Sequence, residues 1–266
     1  MDPILSNPMR ERLAAGELAL GIILRQARTV DIAPAMKACG FDWLFLDLEH
    51  NSMDLDTAVQ ISVAALAAGI APVARVPAGQ LWLATRLLDG GALGIVMPHV
   101  DTADEARRIS QALHYPPDGH RSVAGGLPHL RYEKHGLGET CAAINAATFV
   151  AVMLETPTAI ANAEAIAAVP GIDSLLVGTN DLAMELGIPG QFGEPRIVSA
   201  YRAVVDACRK HGKWAGVGGI ADDALLARYI EMGVRLVLPG SDLSFLQSAA
   251  SERAAAMRAH LRRGRD

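Results

Sequence analysis

The sequence predicts a (β/α)8 barrel. Three observations point there: eight short apolar runs alternate with helical patterns, the length suits such a barrel, and no early G-x-G-x-x-G turn is present. The chain has 266 residues, and a barrel of this kind takes about 250. A single domain spanning residues 1–266 is therefore expected. The runs are Leu18–Leu24, Asp42–Leu48, Ala71–Val76, Gly94–Pro98, Thr148–Leu154, Asp173–Val177, Trp214–Val217 and Arg235–Pro239. They are continuous rather than alternating, which suits strands buried on both faces of a parallel sheet. A doubly wound open sheet is the competing architecture, and the count of runs and the length favour the closed one.

The segments between the runs carry helix signals. Asp54–Ala68 has apolar residues at helical spacing and a stop at Gly69. Thr102–Leu113 opens with Asp101 as a cap candidate and carries Glu105 three residues after Thr102, the spacing of a capping box. Thr158–Val169 ends at Pro170–Gly171, Pro195–His211 at Gly212, and Ala221–Met232 at Gly233. Glycine just past a helix is the usual C-terminal signal. Asp242–Arg262 closes the chain, with apolar residues at Leu243, Leu246, Ala250, Ala254, Met257 and Leu261. Between Pro98 and Thr148 the connection is about twice what a repeat needs, and the excess includes Tyr115–Gly126. Long βα connections usually carry function; a disordered surface insertion is the alternative.

Composition narrows the function classes. Lys and Arg number 24 against 29 Asp and Glu, a formal charge of −5, so no basic face for nucleic acid is expected. Cys39, Cys141 and Cys208 are too few and scattered for a disulfide framework or zinc knuckle. Cys39, in Ala38–Cys39–Gly40, reads as a small core residue. Apolar stretches such as Ile61–Pro72 are interrupted well short of the roughly 20 residues a membrane span needs. The N-terminal MDPILSNPMRERLAAGE lacks the pattern of a signal peptide. A cytoplasmic protein without membrane partners is expected.

In such a barrel the active site lies at the C-terminal ends of the strands. The polar residues there are Asp47–Asn51, Arg75, Glu155, Thr179–Asp181, Gly216–Gly219 and Pro239–Asp242. Burying one unpaired charge costs several kcal/mol, so charges from several strand ends must compensate one another or bind an ion. Glu155 and Asp181 are 26 positions apart, close to one repeat, which places them at similar heights on adjacent strands. Two carboxylates without His or Cys suit Mg²⁺ or Mn²⁺; alternatively Asp181 caps a helix starting near Leu182. The Arg75 guanidinium suits a carboxylate or an enolate oxygen, or an ion pair with Glu155 or Asp47. His50 reads as a general base or as a solvated loop residue. The glycine turns at strands seven and eight resemble anion-binding backbone turns. Met153 reads as core packing. His99, His114, His120, His129 and His135 have no metal-binding spacing and read as surface or insertion residues.

These residues carry a resemblance. FDWLFLDLEHNSMDL, VARVP, LLDGGALGIVMPHVDTADEARR, PPDGHRS, VMLETPTAIANAEAIAAVPGIDSLLVGTNDLAMELGIPGQF and GVGGI occur in this order. From about Asn7 to about Leu246 the chain resembles the HpcH/HpaI aldolases, class II metal-dependent aldolases of 2-oxo acids. The resemblance implies that Glu155 and Asp181 hold a divalent metal, Mg²⁺ or Mn²⁺ with Co²⁺ as a further candidate, and that no organic cofactor takes part. It implies His50 as catalytic base, Arg75 as stabiliser of the enolate, and Asp89 as the acid that raises the basicity of His50. The position of Asp89 before strand four cannot reach His50 within one chain, so a neighbouring subunit is implied; Asp47 is the local alternative partner. Arg121, in PPDGHRS, is a further candidate site residue.

Arg75, Met153, Asn180 and Asp181 are the implied substrate contacts. Met153 stands where the family usually has Gln, and GTNDL replaces a smaller-residue loop at Asn180. Both departures argue against the substrate of the homoprotocatechuate pathway. The implied reaction joins or splits a 4-hydroxy-2-oxo acid through the enolate of pyruvate or hydroxypyruvate and an aldehyde. It needs no Schiff-base lysine, and none of Lys37, Lys134, Lys210 and Lys213 ends a predicted strand. The terminal helix packs on a partner barrel in relatives, which implies a homohexamer, a trimer of dimers. Two other readings use the same residues: a lyase of CoA thioesters of the citramalyl or malyl type, and a non-catalytic oligomer that binds a 2-oxo acid.

Overall fold

The computed structural model describes residues 4–263; residues 1–3 and 264–266 of the expected domain lie outside it. Eight parallel strands pair in chain order and close on themselves. They are β1 (Ala19–Leu24), β2 (Trp43–Asp47), β3 (Ala71–Arg75), β4 (Gly94–Met97), β5 (Phe149–Leu154), β6 (Ser174–Gly178), β7 (Trp214–Gly218) and β8 (Leu236–Val237). Each predicted run meets its strand to within a residue or two. Short β8 pairs with β1 through two residues, and a bridge between Ile23 and Ser241 extends the closure.

The helices are α1 (Pro8–Ala14), α2 (Ile32–Ala38), α3 (Leu55–Ala68), α4 (Leu81–Asp89), α5 (Ala103–Leu113) and α6 (Leu137–Ala147), followed by α7 (Pro157–Ala161), α8 (Ala163–Ala167), α9 (Thr179–Glu185), α10 (Pro195–Lys210), α11 (Asp223–Met232) and α12 (Asp242–Arg263). Their ends follow the chemistry read from the sequence. Asp54 caps α3, which stops at Gly69 in the left-handed region. The Thr102–Glu105 capping box closes in both directions, so Thr102 rather than Asp101 caps α5; the Asp101 carboxylate accepts from Thr156 Oγ1 instead. The single helix predicted over Thr158–Val169 is instead two. Asn162 breaks it, its side chain donating to Asp101 O at 2.8 Å. Cys39 is exposed rather than in the core, because α2 buries only Ala33.

The barrel interior holds Trp43, Phe45, Val73, Phe149, Met153, Leu176 and Leu236, and a second apolar layer lies between the strands and the helices. Burying each large apolar side chain contributes about 1.5–3 kcal/mol. Trp43 is fully buried and donates its indole N–H to Ala19 O at 3.2 Å. A Cβ on Gly21 would sit 2.2 Å from that ring, so glycine is required beside it. The N-terminal end of the barrel is closed by α1, which buries Met9 and Leu13. Asn7 fastens it there, donating to Leu93 O and Ala147 O.

The long connection lies elsewhere than expected. Its excess follows α5, so it is an αβ connection at the N-terminal end of the strands. Tyr115, Leu127 and Leu130 are buried there, and the His129 ring donates to Ala92 O at 3.0 Å. It is a packed part of the barrel floor, neither a mouth loop nor a disordered insertion. The capping box already bounded the β4 side as short. At the other end of the chain, α12 stands exposed along residues 244–260; the side chain of Leu261 lies outside the described residues. Among the described residues no helix is long and apolar enough to cross a membrane.

Candidate active site

The C-terminal ends of the strands surround a cavity of about 290 Å³ that Asp47, His50, Arg75, Met153, Asn180 and Asp181 help to line. Larger grooves of about 850 and 820 Å³ involve α6 and the floor segment. The first contains Arg10 and Asp173, paired at 2.8 Å, and the second is lined by His129, Arg131, Glu133 and His135 of the floor segment; both lie away from the C-terminal strand ends where barrels of this kind build their sites.

The β2–β3 register sets Asp47 opposite Arg75. The two side chains meet in a two-pronged pair, Nε to Oδ1 at 3.0 Å and Nη2 to Oδ2 at 2.7 Å. Both residues are buried. The guanidinium also lies over the Phe45 ring at 5.1 Å, with Nη1 3.2 Å from Glu49 Oε2 and 3.8 Å from Met153 Sδ. Of the two ion pairs the sequence left open, Asp47 is the partner, with Glu49 added and Glu155 not. Burial pushes the Asp47 carboxyl up. The Arg75 hydrogen bonds and charge, with two backbone N–H bonds, outweigh this and hold it below the usual carboxylate range.

Those backbone bonds shape the next loop. Asp47 Oδ1 accepts from the N–H groups of Glu49 and His50, folding the chain after β2 so that His50 stands at the cavity. The His50 ring is exposed, with Nε2 3.7 Å from Glu49 Oε2. Its local carboxylate is therefore Glu49, not Asp47, which is committed to Arg75. Glu49 Oε2 is buried without an aligned hydrogen-bond donor.

Glu155 directly follows β5 and is buried. Its Oε2 accepts from His99 N at 2.7 Å and lies 3.1 Å from His99 Nδ1. His99 takes a left-handed backbone, φ 54°, which is uncommon without glycine and clusters at functional sites. Gly178 makes room: a Cβ there would lie 2.5 Å from Glu155 Cγ. Burial raises the Glu155 carboxyl above its usual range; the His99 contacts oppose this, and the charges of Asp181 and Glu49 add to it.

Asp181 sits in the first turn of α9, which begins directly after β6. The helix starts at Thr179, so Asp181 is not the cap of a helix near Leu182. Thr179 is buried and bonds Tyr201 and Gly218 O, fixing that turn. Asn180 lies over Gly219, whose added Cβ would come 2.5 Å from its Nδ2. The turn after β8 serves a different end from the anion site its glycine suggested. The Asp242 carboxylate takes the N–H groups of Arg25, Gln26 and Ala27.

Among the described residues no three His, Cys, Asp or Glu side chains form a metal-binding cluster. Two carboxylates still fit a hard divalent cation, because Mg²⁺ and Mn²⁺ commonly keep waters and leave positions for substrate. The raised, crowded Glu155 carboxyl and the undonated Glu49 Oε2 are what such a cation would relieve.

Asp89 is not brought to this mouth. It ends α4, at the opposite end of the barrel, and accepts from Arg121 Nη2 at 2.6 Å. The Arg121 side chain is almost fully buried and stacks over Tyr115 at 4.5 Å. Glu49 and His99 are the mouth residues that the residue-by-residue reading passed over. The first signal was an acid directly beside His50. The second was a histidine one residue past Pro98, where the fourth run ends. His114 and His129, also read as surface or insertion residues, are buried.

Comparison with known proteins gives the family of the chain. The sequence profile of the HpcH/HpaI aldolase/citrate lyase family matches residues 24–249. A 4-hydroxy-4-methyl-2-oxoglutarate aldolase of Hapsidospora irregularis is 36% identical, over 94% of each chain. A hydroxypyruvate/pyruvate aldolase of Cupriavidus necator is 34% identical, over 95% of this chain and 93% of that one. The crystal structure of an HpcH/HpaI aldolase from Desulfitobacterium hafniense superposes with a TM-score of 0.89 at 27% identity, over 96% and 97% of the two chains. By sequence profile, relatives and fold together, the chain belongs to the HpcH/HpaI aldolase/citrate lyase family.

Proposed function

We propose that the barrel mouth forms and cleaves the C3–C4 bond of 4-hydroxy-2-oxo acids, with pyruvate or hydroxypyruvate as donor and an aldehyde as acceptor. The chain is a carbon–carbon lyase, an aldolase of its family. The observation that carries the proposal is the convergence on one cavity of two kinds of group. A guanidinium fixed by Asp47 lines that cavity together with the Asp181 carboxylate, and the buried Glu155 carboxyl lies near enough for the Asp181 charge to raise it.

Glu155 and Asp181 would hold the divalent cation, Mg²⁺ or Mn²⁺, with Co²⁺ as a further candidate and no organic cofactor. When bound, such a cation supplies Lewis acidity to the 2-oxo acid. In cleavage the C4 hydroxyl gives its proton toward His50, directly or through one water. The C4–O bond becomes the carbonyl of the departing aldehyde. The C3–C4 electron pair moves to C3 as the enolate, and protonation at C3 yields the 2-oxo acid. Arg75 stabilises the enolate oxygen, and because Asp47 holds it in place it needs little reorganisation as charge develops. Met153 borders the donor with a thioether in place of an amide, and Asn180 borders it from the turn after β6.

We further place the protein in the cytoplasm as a single-domain homohexamer, a trimer of dimers. Leu246 and Met257 are 64% and 45% exposed on α12, which suits a helix covered by a second barrel. In that assembly Asp89 would serve His50 of a neighbouring copy.

Three outcomes are expected. Glu155→Gln and Asp181→Asn lose at least about 10³-fold in retro-aldol turnover and lose Mn²⁺ binding by calorimetric titration, with circular dichroism unchanged; full turnover in excess chelator would refute the metal assignment. His50→Ala loses about 10²–10⁴-fold and regains part of the rate with added imidazole, and a variant that buffer bases cannot rescue contradicts a proton-transfer role. Light scattering gives the mass of six chains; a monomer would remove both the α12 contact and the Asp89 contribution.

A further inference from the structure

The cavity at the mouth has one charged wall that the proposed reaction does not use. Its charged lining residues are Arg25, Asp47, His50, Arg75 and Asp181. Asp47 holds Arg75 for the enolate oxygen, His50 moves the proton, and Asp181 belongs to the cation site. Arg25 is left. It directly follows β1, and in a closed barrel of eight strands β1 stands across the mouth from β5, whose end carries Glu155. The donor end of the substrate therefore lies on one side of the mouth and Arg25 on the other.

The backbone of Arg25 is held on both sides of its Cα. Its N–H donates to Asp242 Oδ1 at 2.8 Å, and its carbonyl accepts from Arg28 Nη1 at 3.1 Å. Asp242 also takes the next two N–H groups at 2.9 and 2.7 Å, and Asn51 donates to Leu24 O at 3.1 Å. The loops after β1 and β2 and the start of α12 thus fix where the side chain begins. Among the described residues the Arg25 guanidinium takes part in no hydrogen bond or ion pair, unlike Arg75. Ile23, Phe45, Leu176 and Leu238 add apolar side chains to the cavity wall. A cationic side chain on one side and, on the other, carboxylates that would hold a divalent cation suit a molecule with anionic groups at both ends, and the apolar wall suits the carbon chain joining them.

We propose that Arg25 is the specificity-determining residue for the acceptor, binding an anionic group, carboxylate or phosphate, at the end remote from the reacting carbonyl. This rests on the aldol reading of the mouth. Arg75 does not serve this end, because Asp47 holds it through two bonds beside Met153 and Glu49, where it is assigned to the enolate oxygen. Because the contact lies away from the breaking bond, it is made in ground state and transition state alike, and its loss raises KM more than it lowers kcat.

The test uses the full-length protein with Mn²⁺, pyruvate and two matched acceptor pairs: 4-oxobutanoate against butanal, and glyceraldehyde 3-phosphate against glyceraldehyde. The wild type favours the charged member of at least one pair in kcat/KM. In Arg25→Gln that preference falls about 10–100-fold, the range for a lost hydrogen bond to a charged group, and mainly through KM. Arg25→Lys retains part of it. A fall confined to one pair supports the proposal and identifies the anion. Equal use of both members by the wild type, or an unchanged preference in Arg25→Gln, overturns it. Exchange of the pyruvate methyl protons in deuterated water, without acceptor, separates the two levels. If the wild type and Arg25→Gln both exchange while the preference does not move, only the role of Arg25 fails. A wild type that does not exchange overturns the aldol reading beneath it.

Discussion

The pair between Asp47 and Arg75 is the interaction on which the mouth of the barrel depends. Two neighbouring strands end in register, and a buried carboxylate meets a buried guanidinium through two parallel bonds. Removing one partner of such a pair leaves the other charge uncompensated, at a cost of about 3–5 kcal/mol. The same carboxylate accepts the N–H groups that fold the loop carrying Glu49 and His50. One side chain thus orients the guanidinium and aims the histidine. Because the folded Asp47 carboxyl lies below its usual range, the stabilisation it gives is complete above the unfolded value. It is lost as pH falls through the folded one.

Across the mouth the balance is reversed. Glu155, Asp181 and Glu49 bring negative charge together with little cationic compensation beyond Arg75 and the histidines. The fold accepts this by giving Glu155 a backbone N–H from His99 and by leaving Gly178 without a side chain. Burial there raises the carboxyl, and a divalent cation held by Glu155 and Asp181 would offset the repulsion among these carboxylates. Preorganised groups of both signs facing one cavity are what an enolate-forming reaction requires.

Most of this fold was legible because both-face burial writes itself into the sequence as continuous apolar runs, and helix ends carry cap residues. The strand ends of Asp47, Arg75 and Glu155 followed from those runs. Partner choice did not. Whether Arg75 meets Asp47 or Glu155 depends on strand register, and whether His50 meets Asp47 or Glu49 depends on which acid is already committed. The length of the long connection does not by itself say at which end of the barrel it lies; that depends on the side of α5 on which the excess falls. His99 was passed over because no spacing rule links it to Glu155; a left-handed backbone at the end of β4 makes that contact. The split between α7 and α8 turns on one tertiary hydrogen bond from Asn162, which local pattern does not carry.

The role of Arg75 can be measured apart from aldehyde and product release by following exchange of pyruvate methyl protons for deuterium with Mn²⁺ present. Arg75→Ala should exchange about 10²–10³-fold more slowly than the wild type. Arg75→Lys should recover little, since an ammonium cannot reproduce a planar fork held by Asp47. Exchange at the wild-type rate in folded Arg75→Ala would contradict this, and would leave the arginine as a structural ion-pair partner of Asp47.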